Sequence, residues 1–110
     1  MKPELIFRRR FVLTCRSGKV ILVYMDVFKL PDSSSKMVSE GYRFSWIAYD
    51  SENEAARVLF DNHPPKGPHS HIDGDLEGKP FKWKSLDASY ERFFEKVRDR
   101  FGDFEITEEK

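Results

Sequence analysis

The sequence has little of what marks secreted, membrane-spanning or nucleic-acid-coating proteins. One cysteine, Cys15, excludes an internal disulfide, and the first residues show no apolar leader. The longest apolar run, residues 20–27, contains Asp26 and falls far short of the roughly 18 residues of a membrane span. Lys and Arg total 19 and so do Asp and Glu, so the formal net charge is zero and no whole-molecule field attracts nucleic acid or anionic lipid. We therefore expect a cytoplasmic protein that makes no membrane contact.

The chain does contain enough apolar side chains to fold. Apolar residues make up 39% of it and aromatic residues 15%, more than a disordered chain carries. A chain of 110 residues buries roughly two-thirds of its surface on folding, which is enough for one core. The sequence therefore predicts a single domain over residues 1–110.

Alternating apolar residues predict four strands. Residues 5–15 and 20–30 flank the turn Arg16-Ser17-Gly18-Lys19 and are typical of a hairpin. Residues 42–49 alternate in the same way, and after a polar break residues 57–60 return. These patterns favour an antiparallel meander.

The remaining segments complete an α+β prediction. The polar run 31–36 is predicted to be a loop, the proline- and glycine-rich stretch 61–78 to lack regular structure, and residues 81–84 to form a fifth, edge-like strand. Asp87 and Gly102 are predicted to begin and end an amphipathic helix, and residues 107–110 to fray. We expect a curved antiparallel sheet of four to five strands with one C-terminal helix packed on a face.

The three histidines lie within nine positions of the proline-glycine stretch. They are His63, His69 and His71, with Asp61 and Asn62 beside them. In an extended backbone His69 and His71 leave the same face, roughly 7 Å apart, so both imidazoles can reach one metal ion or one phosphate. Two imidazoles of different proton occupancy can also act as acid and base. The spacing does not separate these uses from histidines that are only surface residues, and the stronger zinc motifs are absent.

Asp26 is an acidic residue in an otherwise apolar predicted strand. An ionised carboxylate there is costly unless it is paired, and Arg43 of the third strand is the predicted partner. In a functional interpretation both side chains face the opening where the histidine loop lies. The alternatives without a function are a structural ion pair and an aspartate at a strand end near solvent.

The run Arg8-Arg9-Arg10 places its first and last members on one face of a strand. It suggests a surface that follows phosphates and stacks bases, although such a run is also typical of a solvated strand face. The other predicted members of that surface are Lys82, Lys84, Trp46 and Trp83. Cys15 is predicted to be buried and unreactive.

The order of five motifs resembles the TumE-like family of prokaryotic toxin-antitoxin proteins over about two-thirds of the chain. The motifs are Tyr42-Arg43-Phe44-Ser45-Trp46, Phe60-Asp61-Asn62-His63, Pro68-His69-Ser70-His71-Ile72-Asp73-Gly74, Pro80-Phe81-Lys82-Trp83 and Phe93-Phe94. The resemblance implies a small sheet-plus-helix toxin encoded beside a helix-turn-helix antitoxin. It also implies a functional edge with Arg43 behind it, made of Asp61, Asn62, His63, His69 and His71. Residues 63–67 are shorter and poorer in histidine than in many relatives, so no multi-histidine metal site is implied.

From the residues and the resemblance together, we expect a toxin that cleaves RNA without a metal ion or an organic cofactor. His63 or His69 would remove the ribose 2′-hydroxyl proton, the other histidine would protonate the leaving oxygen, and Arg43 or a nearby lysine would stabilise the phosphorane. The expected catalytic set is Asp61, His63, His69, His71 and Arg43, and the expected binding set is Asn62, Asp26, Lys82 and Trp83.

Two alternatives stay open at this point. One is a non-enzymatic module that binds a partner protein through an exposed sheet edge or aromatic face. The other is a divalent-metal hydrolase that uses His69, His71 and either Asp61 or Asp73. The expected partners are the adjacent antitoxin and RNA, and exposed apolar edges are also compatible with a homodimer.

Overall fold

The fold is a single antiparallel sheet with one helix across a face, in a computed structural model that describes residues 2–31, 38–64 and 66–110. The predicted α+β class is confirmed. Of the predicted loop 31–36, only Pro31 lies within the described residues. In chain order the described elements are β1 (Glu4–Cys15), β2 (Val20–Lys29), a 3₁₀ turn (Val38–Gly41), β3 (Tyr42–Asp50), β4 (Asn53–Asp61), β5 (His69–Ile72), β6 (Lys79–Pro80), α1 (Leu86–Phe101) and β7 (Phe104–Glu109).

The sheet is a meander whose last strand returns to its first. The described strands lie in the order β6-β5-β4-β3-β2-β1-β7, and every neighbouring pair is antiparallel. The predicted turn between β1 and β2 is confirmed: Cys15 and Lys19 close it, and Gly18 adopts a φ of 92° that a side chain would strain. The two predicted hairpins are therefore β1–β2 and β3–β4.

The prediction of four to five strands is too low, because seven are described. The proline-glycine stretch contains β5 and is followed directly by β6, and residues 107–109 of the tail predicted to fray belong to β7, which pairs with the outer edge of β1. Both differences arise because pairing with an existing strand supplies the order that local sequence does not. Residues 81–84 do not form a strand, since Trp83 leaves the sheet and packs on the core.

The core lies between the helix and one face of the sheet. Trp46 and Phe60 are fully buried there, and the ring of Phe93 on α1 lies 5.8 Å from the first and 5.3 Å from the second, edge-on to both. Aromatic rings prefer this arrangement, and large rings bury the most area per residue. Side chains alternate along each strand, so the next residues point to the opposite face, which we call the far face. The far face carries Arg8, Arg10, Tyr24, Asp26, Arg43, Ser45, Asp61 and His71.

The N-cap of the helix lies two residues before the predicted one. Ser85, not Asp87, is the N-cap, and its Oγ accepts a hydrogen bond of 3.0 Å from the Ala88 N–H. The predicted end at Gly102 is confirmed, with the glycine N–H donating to the Arg98 carbonyl. Within the described ranges, no helix combines the length and the apolar character that crossing a membrane requires.

We predict that Ser85→Ala lowers the free energy of unfolding by about 1 kcal/mol, because it removes the acceptor for a helix N–H. Asp87→Ala, two residues further on, is expected to change it by less than about 0.5 kcal/mol, because this exposed carboxylate interacts only with the helix dipole. Urea unfolding of both variants measures the difference. Equal losses in the two would contradict the cap assignment.

Candidate functional site

The pairing of β4 with β5 brings three of the predicted site residues together. Asp61 stands opposite His69, and Leu59 stands opposite His71. Residues directly opposite each other in an antiparallel pair share a face, so all three polar side chains lie on the far face. The short connection that allows this contains Pro68 and Gly67, whose φ of 70° reverses the chain before β5.

His69 is the most enclosed member of this group. Its side chain is 6% exposed, its Nδ1 lies 2.6 Å from the carbonyl oxygen of Gly67, and its Nε2 lies 3.0 Å from Oδ1 of Asp61. A carbonyl oxygen only accepts hydrogen bonds, so the Nδ1 contact fixes a proton on that nitrogen. The Nε2 nitrogen therefore faces the Asp61 carboxylate.

His71 stands beside His69 and is held in a similar way. The two rings are 4.7 Å apart and nearly perpendicular, and Nδ1 of His71 lies 2.7 Å from the carbonyl oxygen of Asp75. Gly78 makes room for this ring: a Cβ there would lie 2.7 Å from Cε1 of His71, and the glycine φ is 73°. His71 is half-buried, so it forms the accessible side of the group.

Three ligating atoms, one each from Asp61, His69 and His71, lie within 4.8 Å of one another. We call these residues the DHH cluster. His63 is exposed and is not part of it, so the structure brings two of the three histidines together. His63 follows the end of β4, where the ladder that positions Asp61 has already stopped.

Asn62 is buried, and its side chain forms hydrogen bonds with the backbone of β3. Its Oδ1 accepts a hydrogen bond of 3.0 Å from the Phe44 N–H, and its Nδ2 donates one of 2.7 Å to the Tyr42 carbonyl. The amide thereby continues the β3–β4 pairing for one more step after the ladder ends at Asp61. Asn62 holds the strand that carries Asp61.

The ion-pair partners of Asp26 are not the one predicted. Its Oδ1 lies 2.8 Å from Nε of Arg8 and 3.6 Å from a guanidinium nitrogen of Arg10, whereas Arg43 stands opposite Phe28. The prediction of an Asp26–Arg43 pair is therefore wrong: the β1–β2 register places Arg8 directly across from Asp26.

The predicted phosphate-tracking surface is not assembled. Trp46 is fully buried, and Trp83 packs on Phe44 on the helix side, where its Nε1–H donates to the Glu40 carboxylate. Lys82 is exposed and lines a cleft with residues of α1. The alternation that places Arg8 and Arg10 on the far face also separates them from these side chains.

Asp73 closes the loop that follows β5. Burial alone would raise the pKa of its carboxyl, but hydrogen bonds from the Arg100 side chain and the Arg57 N–H outweigh that effect and hold the pKa below its ordinary value. Asp73 is thus an ionised anchor to the helix rather than a member of the DHH cluster. No sequence pattern predicts the role of Arg100, because a contact between a loop and a distant helix leaves no local signal.

Cys15 is buried, and burial raises the pKa of its thiol more than the neighbouring Lys19 lowers it. A thiol that stays protonated is a poor nucleophile. The DHH cluster is therefore the better candidate for chemistry: it combines two imidazoles and a carboxylate, groups that exchange protons and bind metal ions.

Comparisons of the chain with protein-family models, with curated proteins and with solved structures found no match.

We predict that Asn62→Ala lowers the free energy of unfolding by about 2 kcal/mol, because it leaves a buried backbone N–H and a carbonyl without their partner. Asn53→Ala is the control: its side chain is exposed and accepts one weak hydrogen bond of 3.3 Å, so a change below about 0.5 kcal/mol is expected. Urea midpoints test both. An Asn62→Ala variant as stable as the Asn53→Ala control would contradict the structural role.

Proposed function

We propose that this protein is the toxin of a toxin-antitoxin pair and cleaves RNA at the DHH cluster. The observation that carries the proposal is the convergence of Asp61, His69 and His71 within 4.8 Å at one edge of the sheet. The resemblance of the motif order to TumE-like toxins supports the biological setting.

The proposed reaction is an internal transfer within the RNA chain. The ribose 2′-oxygen forms a bond to phosphorus, and the bond from phosphorus to the 5′-oxygen breaks. The 2′-hydroxyl loses one proton, and the leaving 5′-oxygen gains one, so the number of protons is unchanged. The products are a 2′,3′-cyclic phosphate and a 5′-hydroxyl, with no co-reactant consumed. The DHH cluster stabilises the charge that develops on the phosphorane and exchanges the protons.

Arg43 supports a phosphate substrate. It lies on the far face two residues from Ser45, which stands opposite Asp61 in the β3–β4 register. Two residues along a strand correspond to roughly 7 Å, the scale of one nucleotide, so the guanidinium can hold a phosphate beside the cluster.

We predict that His71→Ala reduces RNA cleavage by at least about a hundredfold, because one general acid or base, or one stabilising group, contributes about that much. His63→Ala is the matched control and is expected to keep wild-type activity, because its ring lies outside the cluster. The assay follows a labelled RNA oligonucleotide, with a second substrate that carries a single 2′-deoxyribose at the cut.

Equal cleavage by the His71→Ala and His63→Ala variants would remove the DHH cluster from the mechanism. Cutting of the 2′-deoxy substrate at the same position would contradict the internal transfer. Circular dichroism shows whether each variant is folded before the rates are compared.

A second candidate function, protein binding, is favoured by the outer edge of β1. β7 pairs with this strand only from Phe11 to Cys15, and Leu5 and Ile6, before that region, are 46% and 42% exposed. An open strand edge with exposed apolar side chains is suited to adding a strand from another protein. The occupant we propose is an extended segment of the antitoxin.

For this candidate we predict that Ile6→Lys abolishes co-purification with the protein of the adjacent reading frame. Ile106→Lys, at an isoleucine of similar exposure on β7, is expected to leave it unchanged. Co-expression of each variant with the tagged neighbour measures this. Retention of the neighbour by the Ile6→Lys variant would exclude this edge as the contact.

A further inference from the structure

We propose that the DHH cluster binds one divalent transition-metal ion of the zinc type through Asp61, His69 and His71. The inference goes beyond the proposed ribonuclease function and departs from the metal-independent chemistry expected from sequence. Metal binding is a property of the three side chains alone, so it can be tested apart from any reaction.

A neutral His69 ring has one proton, and its position is fixed. Nδ1 donates it in a hydrogen bond to the Gly67 carbonyl 2.6 Å away, so Nε2 presents a lone pair to the carboxylate oxygen 3.0 Å away. Two lone pairs at that distance repel each other unless a cation lies between or beside them. A neutral His69 therefore leaves a place for positive charge.

Asp61 lacks a hydrogen-bond donor. Its Oδ1 is buried and receives no hydrogen bond from any described residue, although Nε2 of His69 is only 3.0 Å away. The oxygen thus lies off the line along which an Nε2–H would donate, so a second proton on His69 would give an ion pair but not the missing hydrogen bond. A buried carboxylate oxygen without a donor costs more than a lost hydrogen bond, and a metal ion supplies the missing partner.

Both imidazole rings are oriented as in metal sites. Each histidine uses Nδ1 to contact a backbone carbonyl, that of Gly67 for His69 and that of Asp75 for His71. Histidines that bind metals almost always donate their other ring N–H to such an acceptor, which fixes the tautomer and leaves Nε2 as the ligand. Both rings are therefore prepared to bind through Nε2.

The donor set indicates the class of ion. Two imidazoles and one carboxylate suit zinc, iron, cobalt or nickel, whereas magnesium and calcium prefer oxygen ligands alone. Three protein ligands also leave coordination positions for water or a phosphate oxygen, as in catalytic sites.

The spacing of the cluster is close to that of a metal site. Asp61 and His69 are 3.0 Å apart and all three ligating atoms lie within 4.8 Å of one another, against the roughly 4.2 Å that two ligands 2.1 Å from one ion can span. Gly78 packs against the His71 ring and sets its position. Gly78 is therefore a positioning residue, and Gly74 is its control, since a Cβ there meets nothing within 4 Å.

The test measures the metal content and the zinc affinity of the 110-residue protein. We expect about one equivalent of metal after purification without added metal or chelator, and zinc binding by the stripped protein in calorimetry. His71→Ala and Asp61→Asn are expected to lose at least about a hundredfold in zinc affinity, and Gly78→Ala about tenfold or more, as a disturbed supporting residue does. His63→Ala and Gly74→Ala are expected to bind zinc like the wild type.

Cobalt serves as a second readout that a purely structural defect would not produce. Co²⁺ added to the stripped wild-type protein is expected to give a visible absorption band that zinc abolishes, and the band should be missing in folded Asp61→Asn. Wild-type protein with less than about a tenth of an equivalent of metal and no zinc binding would overturn the proposal. So would equal zinc affinity in His71→Ala and His63→Ala.

These outcomes separate the two proposals. If the protein binds metal but cuts no RNA, the metal site stands and the ribonuclease proposal is wrong. If it cuts RNA but binds neither zinc nor cobalt, the ribonuclease proposal stands and the metal site is wrong.

Discussion

The register between β4 and β5 is the constraint on which the candidate site depends. It places Asp61 opposite His69 and Leu59 opposite His71, so the polar side chains share the far face while Phe60 points into the core. Phe60 and Val58 are fully buried and hold β4 with its apolar face toward the core. With β4 fixed in this way, a slip of β5 by one residue would turn both histidines to the core side of the sheet and away from Asp61.

The rest of the fold serves to hold that register. Asn62 extends the β3–β4 pairing beyond the last ladder residue, and the helix covers the buried rings through Phe93. Arg100 of the helix binds Asp73 just after β5, so the strand of the two histidines is tied at its far end as well. A site placed between fixed points in this way needs little reorganisation to bind a ligand.

The sequence predicts the elements of this fold that have a periodic pattern of apolar side chains. The two hairpins and the helix follow from alternation and from spacings of three and four, and Gly102 ends the helix as expected. β5, β6 and β7 are short or rich in polar and turn-forming residues, and they are ordered by neighbours distant in sequence. Within the site, the spacing of His69 and His71 predicts their shared face. The position of His63 outside the DHH cluster and the packing of Gly78 on the His71 ring depend on loop geometry, which no periodic sequence pattern predicts.

The central physical claim is that two backbone carbonyls fix the proton of each imidazole on Nδ1. Both Nε2 atoms are then unprotonated and available, together with Asp61, to bind a metal ion. Long-range proton–nitrogen NMR of the metal-free protein reads these proton positions directly. The account predicts that the neutral rings of His69 and His71 both carry their proton on Nδ1, while the neutral ring of the exposed His63 shows the Nε2–H form or a mixture. An Nε2–H signal for His69 or His71 would contradict it.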